Sequence, residues 1–130
     1  MTQRIAQIAI LVRDYDEAIA FYCDKLGFEL LEDTDLGSGK RWVRIAPPGR
    51  AGTGLLLARA VNDEQASRIG NQSGSRVFLF LETDDFQRDY TALQNKGVVF
   101  VRPPREGRYG TVAVFTDLYG NMIDLIEPRR

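Results

Sequence analysis

The sequence predicts an α+β fold of two tandem βαβββ modules, which form curved mixed sheets around a cleft. The first observation is size, because 130 residues make a single domain, here 1–130, or two small pieces that share a core. The second is composition, since 44% apolar and 27% charged residues are typical of a globular protein. The third is an internal repeat: a shift of 71 residues places Ile8 on Leu79 and Asp14 on Asp85.

The first module, about residues 1–62, is predicted to begin with a strand at 5–12, an apolar run rich in Ile and Val. A helix at 14–26 follows, because Asp14 is a good N-terminal cap and apolar residues recur at helical spacing. Gly27 is the expected end of this helix. Three further strands are predicted at 28–32, 41–46 and 53–60, separated by turn-rich segments at 33–40 and 47–52.

A polar linker is predicted at about 61–75, with a short helix in its first half. The second module, about 76–130, then repeats the order with a strand at 76–83, a helix at 85–96 and strands at 98–101, 111–116 and 121–126. Pro103 and Pro104 are expected to end the first of those three strands. One module cannot bury both faces of its sheet, whereas two packed together can, and they leave a curved cleft.

The charge balance excludes several classes of partner and site. Lys plus Arg is 17 and Asp plus Glu is 18, so a net charge of −1 gives no reason to expect nucleic acid or a membrane surface as partner. The absence of histidine excludes a His-ligated metal, a His base and a Ser-His-Asp triad. One cysteine cannot form an internal disulfide, and no apolar run is long enough to span a bilayer. We therefore expect a cytoplasmic protein.

Two stretches of the chain resemble the vicinal oxygen chelate superfamily, also called the glyoxalase/bleomycin resistance/dioxygenase family. The first is QIAILVRDYDEAIAFYCDKLGFEL, and the second is FTDLYGNMIDLIEP. The resemblance covers nearly the whole chain and implies the duplicated βαβββ fold. It also implies a homodimer. It implies little about activity, because the family includes lyases, isomerases, dioxygenases, thiol transferases and non-catalytic drug-binding proteins.

The resemblance also implies where a divalent cation would bind. In the family's metalloenzymes one residue from each of four strands holds the metal, and the matching positions here are Gln7, Leu56, Phe78 and Asp124. Gln7 and Asp124 offer donor atoms, but Leu56 and Phe78 offer none. Because a protein cage for a divalent cation needs about three or more donor side chains, we expect no metal cofactor. If a metal is present, Gln7 and Asp124 are its expected ligands.

Strand alternation predicts what lines the cleft instead. Under the helices we expect Ile8, Ile10, Val12, Val43, Ile45, Leu79, Leu81, Val112, Val114, Ile123 and Leu125. Facing the cleft we expect a ligand-binding set of polar and aromatic side chains: Gln7, Trp42, Arg44, Leu56, Phe78, Phe80, Glu82, Phe115 and Asp124, with Ile126 nearby. An apolar, aromatic cavity with a few placed polar groups is typical of a small-molecule site. Two acids against one arginine favour a ligand with an aromatic body and an amine or other donor.

Three functions remain open at this point. The first is a small-molecule binding protein, similar to the family's antibiotic-sequestering members, that works without the usual metal. The second is a divergent enzyme of the lyase, isomerase or dioxygenase type, in which a weak metal site, or Asp124 or Glu82 as general base, performs the chemistry. The third is a non-catalytic association domain with an empty cleft. Each of these side chains also has a purely structural interpretation. Phe78 and Trp42 would then contribute only apolar packing, and Asp124 would form only an ion pair with Arg44.

Overall fold

A computed structural model describes residues 1–49 and 52–129 of the chain. The chain divides into two compact units, Met1–Ile69 and Gly70–Arg130, and each builds one four-stranded sheet. This arrangement of two modules, each with a mixed sheet and few helices, confirms the predicted fold class. Within the described ranges, every helix is too short or too polar to cross a lipid bilayer.

The first unit contains the strands β1 (Gln7–Val12), β2 (Glu29–Gly37), β3 (Lys40–Ala46) and β4 (Gly54–Arg59). Helix α1 (Tyr15–Ile19) continues into a π-helical segment, Ala20–Lys25, and α2 (Asp63–Ser67) follows β4. The sheet order is β1-β4-β3-β2, with β1 parallel to β4 and the other neighbours antiparallel. As predicted, Asp14 caps α1: its carboxylate accepts a hydrogen bond of 2.8 Å from the backbone N–H of Glu17.

The second unit repeats this connectivity. It contains β5 (Leu79–Glu82), helix α3 (Phe86–Asn95), β6 (Phe100–Gly107), β7 (Gly110–Thr116) and β8 (Met122–Pro128), in the sheet order β5-β8-β7-β6. Asp85 caps α3 by accepting a hydrogen bond of 3.1 Å from the backbone N–H of Arg88. Both caps therefore lie where the repeat in the sequence predicts them.

One face of each sheet packs against its helix, and we call it the helix face. In the first unit it carries Ile10, Val43, Ile45 and Leu57, none of them more than 1% exposed. In the second unit it carries Ala113, Phe115, Ile123 and Leu125, also at most 1% exposed. Burial of side chains this large is the main stabilising contribution in each unit, at about 1.5–3 kcal/mol for each large aliphatic residue.

Stacked aromatic rings connect helix α3 to the second sheet. Phe86 stacks on Tyr90 with ring centres 5.6 Å apart, and Tyr90 meets Phe100 at 4.6 Å. Phe100 in turn packs on Phe115 at 5.5 Å. Phe115 is 0% exposed, so it lies in the core on the helix face. The prediction that Phe115 lines the cleft was wrong, as was the prediction that Val112 and Val114 lie under the helix.

A single residue in the first helix explains this error. Gly27 lies 13 residues after Asp14, whereas Gly97 lies 12 residues after Asp85. The π-helical segment absorbs the extra residue, because its backbone bonds span five residues, as from Leu26 N–H to the Phe21 carbonyl at 3.2 Å. The repeat is therefore offset by 71 before the helix ends and by 70 from there through β3 and β7, which correspond to each other. A slip of one residue exchanges the two faces of a strand.

Two strands run further than predicted. The segment 33–40 was predicted to be a break, but β2 extends to Gly37 and Arg41 of β3 pairs with Asp33 across the hairpin at 2.7 Å. The turn is confined to positions 37–39, where Gly37 and Gly39 have positive φ angles of 87° and 79°. Likewise, β6 passes through both prolines, because it is an edge strand and its register shifts between Arg102 and Arg105.

Two strands are shorter than predicted, since β1 begins at Gln7 and β5 begins at Leu79. Ile8, predicted to lie under the helix, is 41% exposed within this chain, whereas Ile10 and Val12 are fully buried as expected. The short helix predicted in the first half of the linker is confirmed as α2.

Candidate functional site

The side of each sheet away from its helix is called the open face. In the first unit, Leu56 on β4 is the cross-strand partner of both Ala9 on β1 and Arg44 on β3. Arg44 is in turn the partner of Glu32 on β2. Because cross-strand partners point to the same side of a sheet, these four residues form one row on the open face.

Arg44 organises the polar groups of the first unit. Its Nε donates a hydrogen bond of 2.9 Å to Oε1 of Gln7, and Nη1 reaches Oε1 of Glu32 at 3.3 Å. The structure thus brings together Gln7 and Arg44, two residues that strand alternation places on the same face. The predicted residue Leu56 shares this row, and Trp42, two residues before Arg44, is half-buried opposite Thr34. Glu32 was missed, because it had been taken as the end of a shorter strand.

The second unit has an equivalent row with different chemistry. Asp124 on β8 is the partner of Phe80 on β5 and of Val114 on β7, and Val114 is the partner of Arg102 on β6. The next row holds Glu82, Ile126, Val112 and Arg105. Phe80, Glu82, Asp124 and Ile126 therefore share the open face of the second unit, as the alternation of β5 and β8 predicts.

One carboxylate oxygen of Asp124 lacks a hydrogen-bond partner among the described residues. This oxygen, Oδ1, is buried. Burial raises the pKa of Asp124 above its ordinary value of 3.8, and the charges of Arg102 and Arg105 oppose the rise without reversing it. An unpartnered buried acceptor costs about 1–3 kcal/mol, so this group is set up to accept a hydrogen bond from something outside the sheet.

Phe80 offers an exposed aromatic surface beside that oxygen. Its side chain is 71% exposed, although it is a large apolar residue in the middle of a short strand. Phe78 precedes β5 and is half-buried, and its backbone N–H donates to the Met122 carbonyl at 2.8 Å. Glu82 ends β5 and is exposed at the rim of a separate cavity of about 420 Å³, which Thr83, Asp84 and Pro128 also line.

Val114, Arg102 and Arg105 of this face were missed. Arg105 was missed because Pro103 and Pro104 were expected to end the strand before it. The repeat contained the necessary signal, since an offset of 70 places Glu32 on Arg102 and Arg44 on Val114. That offset becomes visible only when the extra residue of the first helix is recognised.

The loop that leads into β8 is held by a buried acid. Asp117 is 4% exposed, and its Oδ1 accepts backbone N–H bonds of 2.9–3.0 Å from Tyr119, Gly120 and Asn121. Its Oδ2 accepts a bond of 3.0 Å from the Asn121 side chain. The D-x-x-G-N part of the second sequence motif therefore sets where β8 begins and so positions Asp124.

The four positions at which the resemblance implies a metal do not fit one. Leu56 and Phe78 have no donor atom, and the amide oxygen of Gln7 already accepts from the guanidinium of Arg44 at 2.9 Å. A divalent cation at that oxygen would face a fixed positive charge. In residues 1–49 and 52–129, no three His, Cys, Asp or Glu side chains are grouped as a metal site would require. The absence of a metal cofactor nevertheless stays a prediction.

Comparison with known proteins agrees with the fold. Residues 4–125 match the model of the Glyoxalase/Bleomycin resistance protein/Dioxygenase superfamily. An uncharacterized protein of Shewanella frigidimarina is 60% identical over 128 residues, covering 98% of this chain and 95% of that protein. A probable lactoylglutathione lyase of Synechocystis is 29% identical, covering 91% and 90%. TnmS3, an antibiotic binding protein from Streptomyces, is 32% identical with a TM-score of 0.79, covering 98% of each chain. The chain therefore belongs to the glyoxalase/bleomycin resistance protein/dioxygenase superfamily.

Proposed function

We propose that this protein binds a small organic ligand that carries an aromatic or cationic group, and that it does so without a metal. The observation that carries the proposal is the pair formed by Asp124 and Phe80 on the open face of the second unit. A buried carboxylate oxygen without a partner lies across the strands from an aromatic ring that is 71% exposed. A ligand that supplies both a donor and a flat apolar surface would satisfy both groups.

The unpartnered acceptor decides which ligand chemistry is favoured, because the two acids of this face, Asp124 and Glu82, are balanced by Arg102 and Arg105. An ammonium or other N–H group would donate to Oδ1 of Asp124 and, when charged, would also stabilise the ionised carboxylate. The ring of Phe80 would stack on an aromatic group or attract a cation at its face. Ile126 and Val114 extend the apolar surface on either side of Asp124. Trp42 and Leu56, on the open face of the first unit, carry comparable apolar surface.

Similarity to an antibiotic binding protein supports a binding role. TnmS3, an antibiotic binding protein, is 32% identical over nearly the full length of both chains. A drug-sized ligand suits a surface with aromatic groups and few polar ones. The proposal carries over the expectations of a cytoplasmic location and a homodimer, which rest on composition and on the resemblance.

The test is a thermal-shift screen of aromatic amines, other aromatic compounds, cationic compounds and thiol conjugates. A ligand at 100 times its dissociation constant stabilises the folded state by about 2.7 kcal/mol, which raises the melting temperature measurably. We expect aromatic amines to give the largest shifts. Asp124→Asn and Phe80→Ala should each reduce the affinity at least tenfold, because one removes the charged acceptor and the other the stacking surface.

Tyr109→Ala is the matched control for Phe80→Ala. Tyr109 is a similarly exposed aromatic residue, at 75%, but it lies in the hairpin between β6 and β7. Its removal should leave ligand affinity unchanged. If no compound of the screen shifts the melting temperature, the association domain becomes the better account. If a compound binds equally well to Phe80→Ala and Asp124→Asn, the site lies elsewhere.

A second candidate function is favoured by the raised pKa of Asp124. A carboxylate whose pKa is raised by burial is a better general base near neutral pH, so a ligand with an acidic C–H could lose its proton to Oδ1. The similarity to a probable lactoylglutathione lyase keeps this enzymatic alternative in view. It predicts that the protein catalyses exchange of such a proton for deuterium in carbonyl compounds that bind. Asp124→Asn should abolish exchange, whereas Glu82→Gln at the exposed rim should not.

A further inference from the structure

The first unit contains a cavity that the proposed function does not use. Its volume is about 410 Å³, and it is lined by the N-terminal segment and by strands of the first sheet, including Arg4, Ile5, Leu31, Arg44, Ala46 and Thr53. Two arginines, Arg4 and Arg44, contribute to the lining, and among the described residues no Asp or Glu does. Ile5, Leu31 and Ala46 supply apolar walls. A cavity with this lining favours an anion that carries an apolar body.

Arg44 is held in place before any ligand binds. Its Nε is hydrogen-bonded to Gln7 at 2.9 Å and its Nη1 to Glu32 at 3.3 Å. Its side chain is 33% exposed. In the part of the chain that the structure describes, Nη2 forms no hydrogen bond or ion pair, so this nitrogen can donate to a ligand. A guanidinium fixed on two sides loses little conformational entropy when it binds an oxyanion.

Arg4 is positioned by the strand that it precedes. The hydroxyl of Thr53 donates to the Ile5 carbonyl at 2.8 Å, and the backbone N–H of Gly54 donates to the Ala6 carbonyl at 3.1 Å. These bonds hold the segment that carries Arg4 against the start of β4. Arg4 forms no ion pair with any other described residue.

We propose that this cavity binds an organic carboxylate with a small apolar body, with Arg44 and Arg4 as its cationic contacts. The site lies within the first unit and goes beyond the proposed function, since neither Asp124 nor Phe80 takes part. Arg44 is bonded to Gln7 and paired across the strands with Leu56, the two positions of this unit at which the resemblance implies a metal. A fixed guanidinium therefore stands where relatives place a cation, and a guanidinium binds carboxylates directly.

The test uses benzoate as the probe and benzamide as its neutral analogue of the same shape. Both are titrated into the full-length protein by NMR, following backbone amides of the segment 4–6 and of β4, and by calorimetry. Benzoate should bind and benzamide should bind at least tenfold more weakly, because hydrogen bonds to a charged group contribute about 1.5–3 kcal/mol. Arg44→Gln and Arg4→Gln should each weaken benzoate binding, the former by tenfold or more.

Arg108→Gln is the matched control, because it removes the same charge from the exposed hairpin between β6 and β7. It should leave the benzoate affinity unchanged. Arg44→Gln leaves Glu32 without its partner, so its fold is checked by circular dichroism. Arg4→Gln breaks no hydrogen bond between described residues and keeps the test valid if Arg44→Gln fails to fold. Equal binding of benzamide, unchanged binding in Arg4→Gln, or no benzoate binding would overturn the proposal.

Discussion

The two open faces carry charged residues at mostly different positions of the repeat and satisfy them differently, since Arg44 corresponds to Val114 and Asp124 corresponds to Leu56. In the first unit the charges are internal partners, since Arg44 is bonded to both Gln7 and Glu32. In the second unit the acid lies on β8, and Oδ1 of Asp124 has no partner among the described residues although Arg102 and Arg105 are near enough to affect its pKa. The same scaffold therefore occurs twice: Arg44 of the first unit is partly satisfied by side chains of its own sheet, whereas Oδ1 of Asp124 in the second unit has no partner among the described residues.

The connection into the last strand also differs between the units, because it contains a hydrogen-bonding acid in one and two prolines in the other. In the second unit Asp117 gathers three backbone N–H groups and one side-chain amide. In the first unit, positions 47 and 48 are prolines, which have no backbone N–H to satisfy. Among the described residues, hydrogen bonds to the Asp117 side chain therefore fix the start of β8, the strand that carries Asp124, whereas the two prolines of the first connection offer no backbone N–H for such bonds.

The largest expected effect tests which face Phe115 occupies. Phe115→Ala should lower the free energy of unfolding by about 3–5 kcal/mol, because it removes a fully buried ring from the helix face. Phe80→Ala, on the open face, should change it by less than about 0.5 kcal/mol. Urea unfolding followed by circular dichroism measures both. A small loss for Phe115→Ala would restore the orientation that the simple repeat predicts.

The next effect tests the loop before β8. Asp117→Ala should cost about 2–3 kcal/mol, since it leaves the backbone N–H groups of Tyr119, Gly120 and Asn121 in a partly buried loop without this acceptor. Pro48→Ala, in the equivalent connection of the first unit, should cost much less. The same urea measurement compares the two variants. Equal losses would show that the connections do not differ in the way described.

A smaller effect of opposite sign is expected at Asp124. Because its folded-state pKa is raised, the folded protein binds this proton more tightly than the unfolded chain does. Asp124 therefore stabilises the protein least at neutral pH, and stability falls as pH rises from about 4 through the folded pKa. Asp124→Asn should be more stable than the parent at pH 7, and the difference should shrink as the pH falls toward 4. A variant less stable than the parent at pH 7 would contradict the unpartnered state of Oδ1.

The smallest effect is expected at Asp33 of the first unit. The hydrogen bonds and charge of Arg41 lower the pKa of Asp33 below its ordinary value of 3.8. This group contributes stability above that value, and the contribution is lost as pH falls through the lowered pKa. Asp33→Asn should cost a few tenths of a kcal/mol at pH 7, because the ion pair is largely exposed. Its pH dependence should therefore run opposite to that of Asp124→Asn.

Most of the fold could be predicted from the sequence because local signals were strong. Asp14 and Asp85 cap both helices, and alternating apolar residues correctly placed Ile10, Val43 and Ile45 in the core. Strand ends were harder to predict, since edge strands tolerate Pro103 and Pro104 and hairpins tolerate acids that pair across them. The open face was predicted correctly for β1, β3, β5 and β8.

The error on β7 had a different origin. It came from an added residue in one helix, which local sequence patterns do not reveal, because a π-helical turn keeps its apolar residues close to the helical spacing. The missing partner of Asp124 was also beyond prediction, since it depends on which side chains across three strands reach the carboxylate. The register of β6 shows that Arg102 and Arg105 lie on the same face as Asp124. Neither arginine forms a hydrogen bond with Oδ1 of Asp124.

The central claim is that Asp124 binds an organic ligand and not a metal ion. The most direct measurement is a calorimetric titration of chelator-treated protein with nickel, zinc, iron and manganese ions, on the parent chain and on Asp124→Ala. We predict no tight stoichiometric binding of any of these ions, because Leu56 and Phe78 offer no donor and Arg44 occupies the oxygen of Gln7. Tight one-to-one binding that Asp124→Ala abolishes would contradict the account.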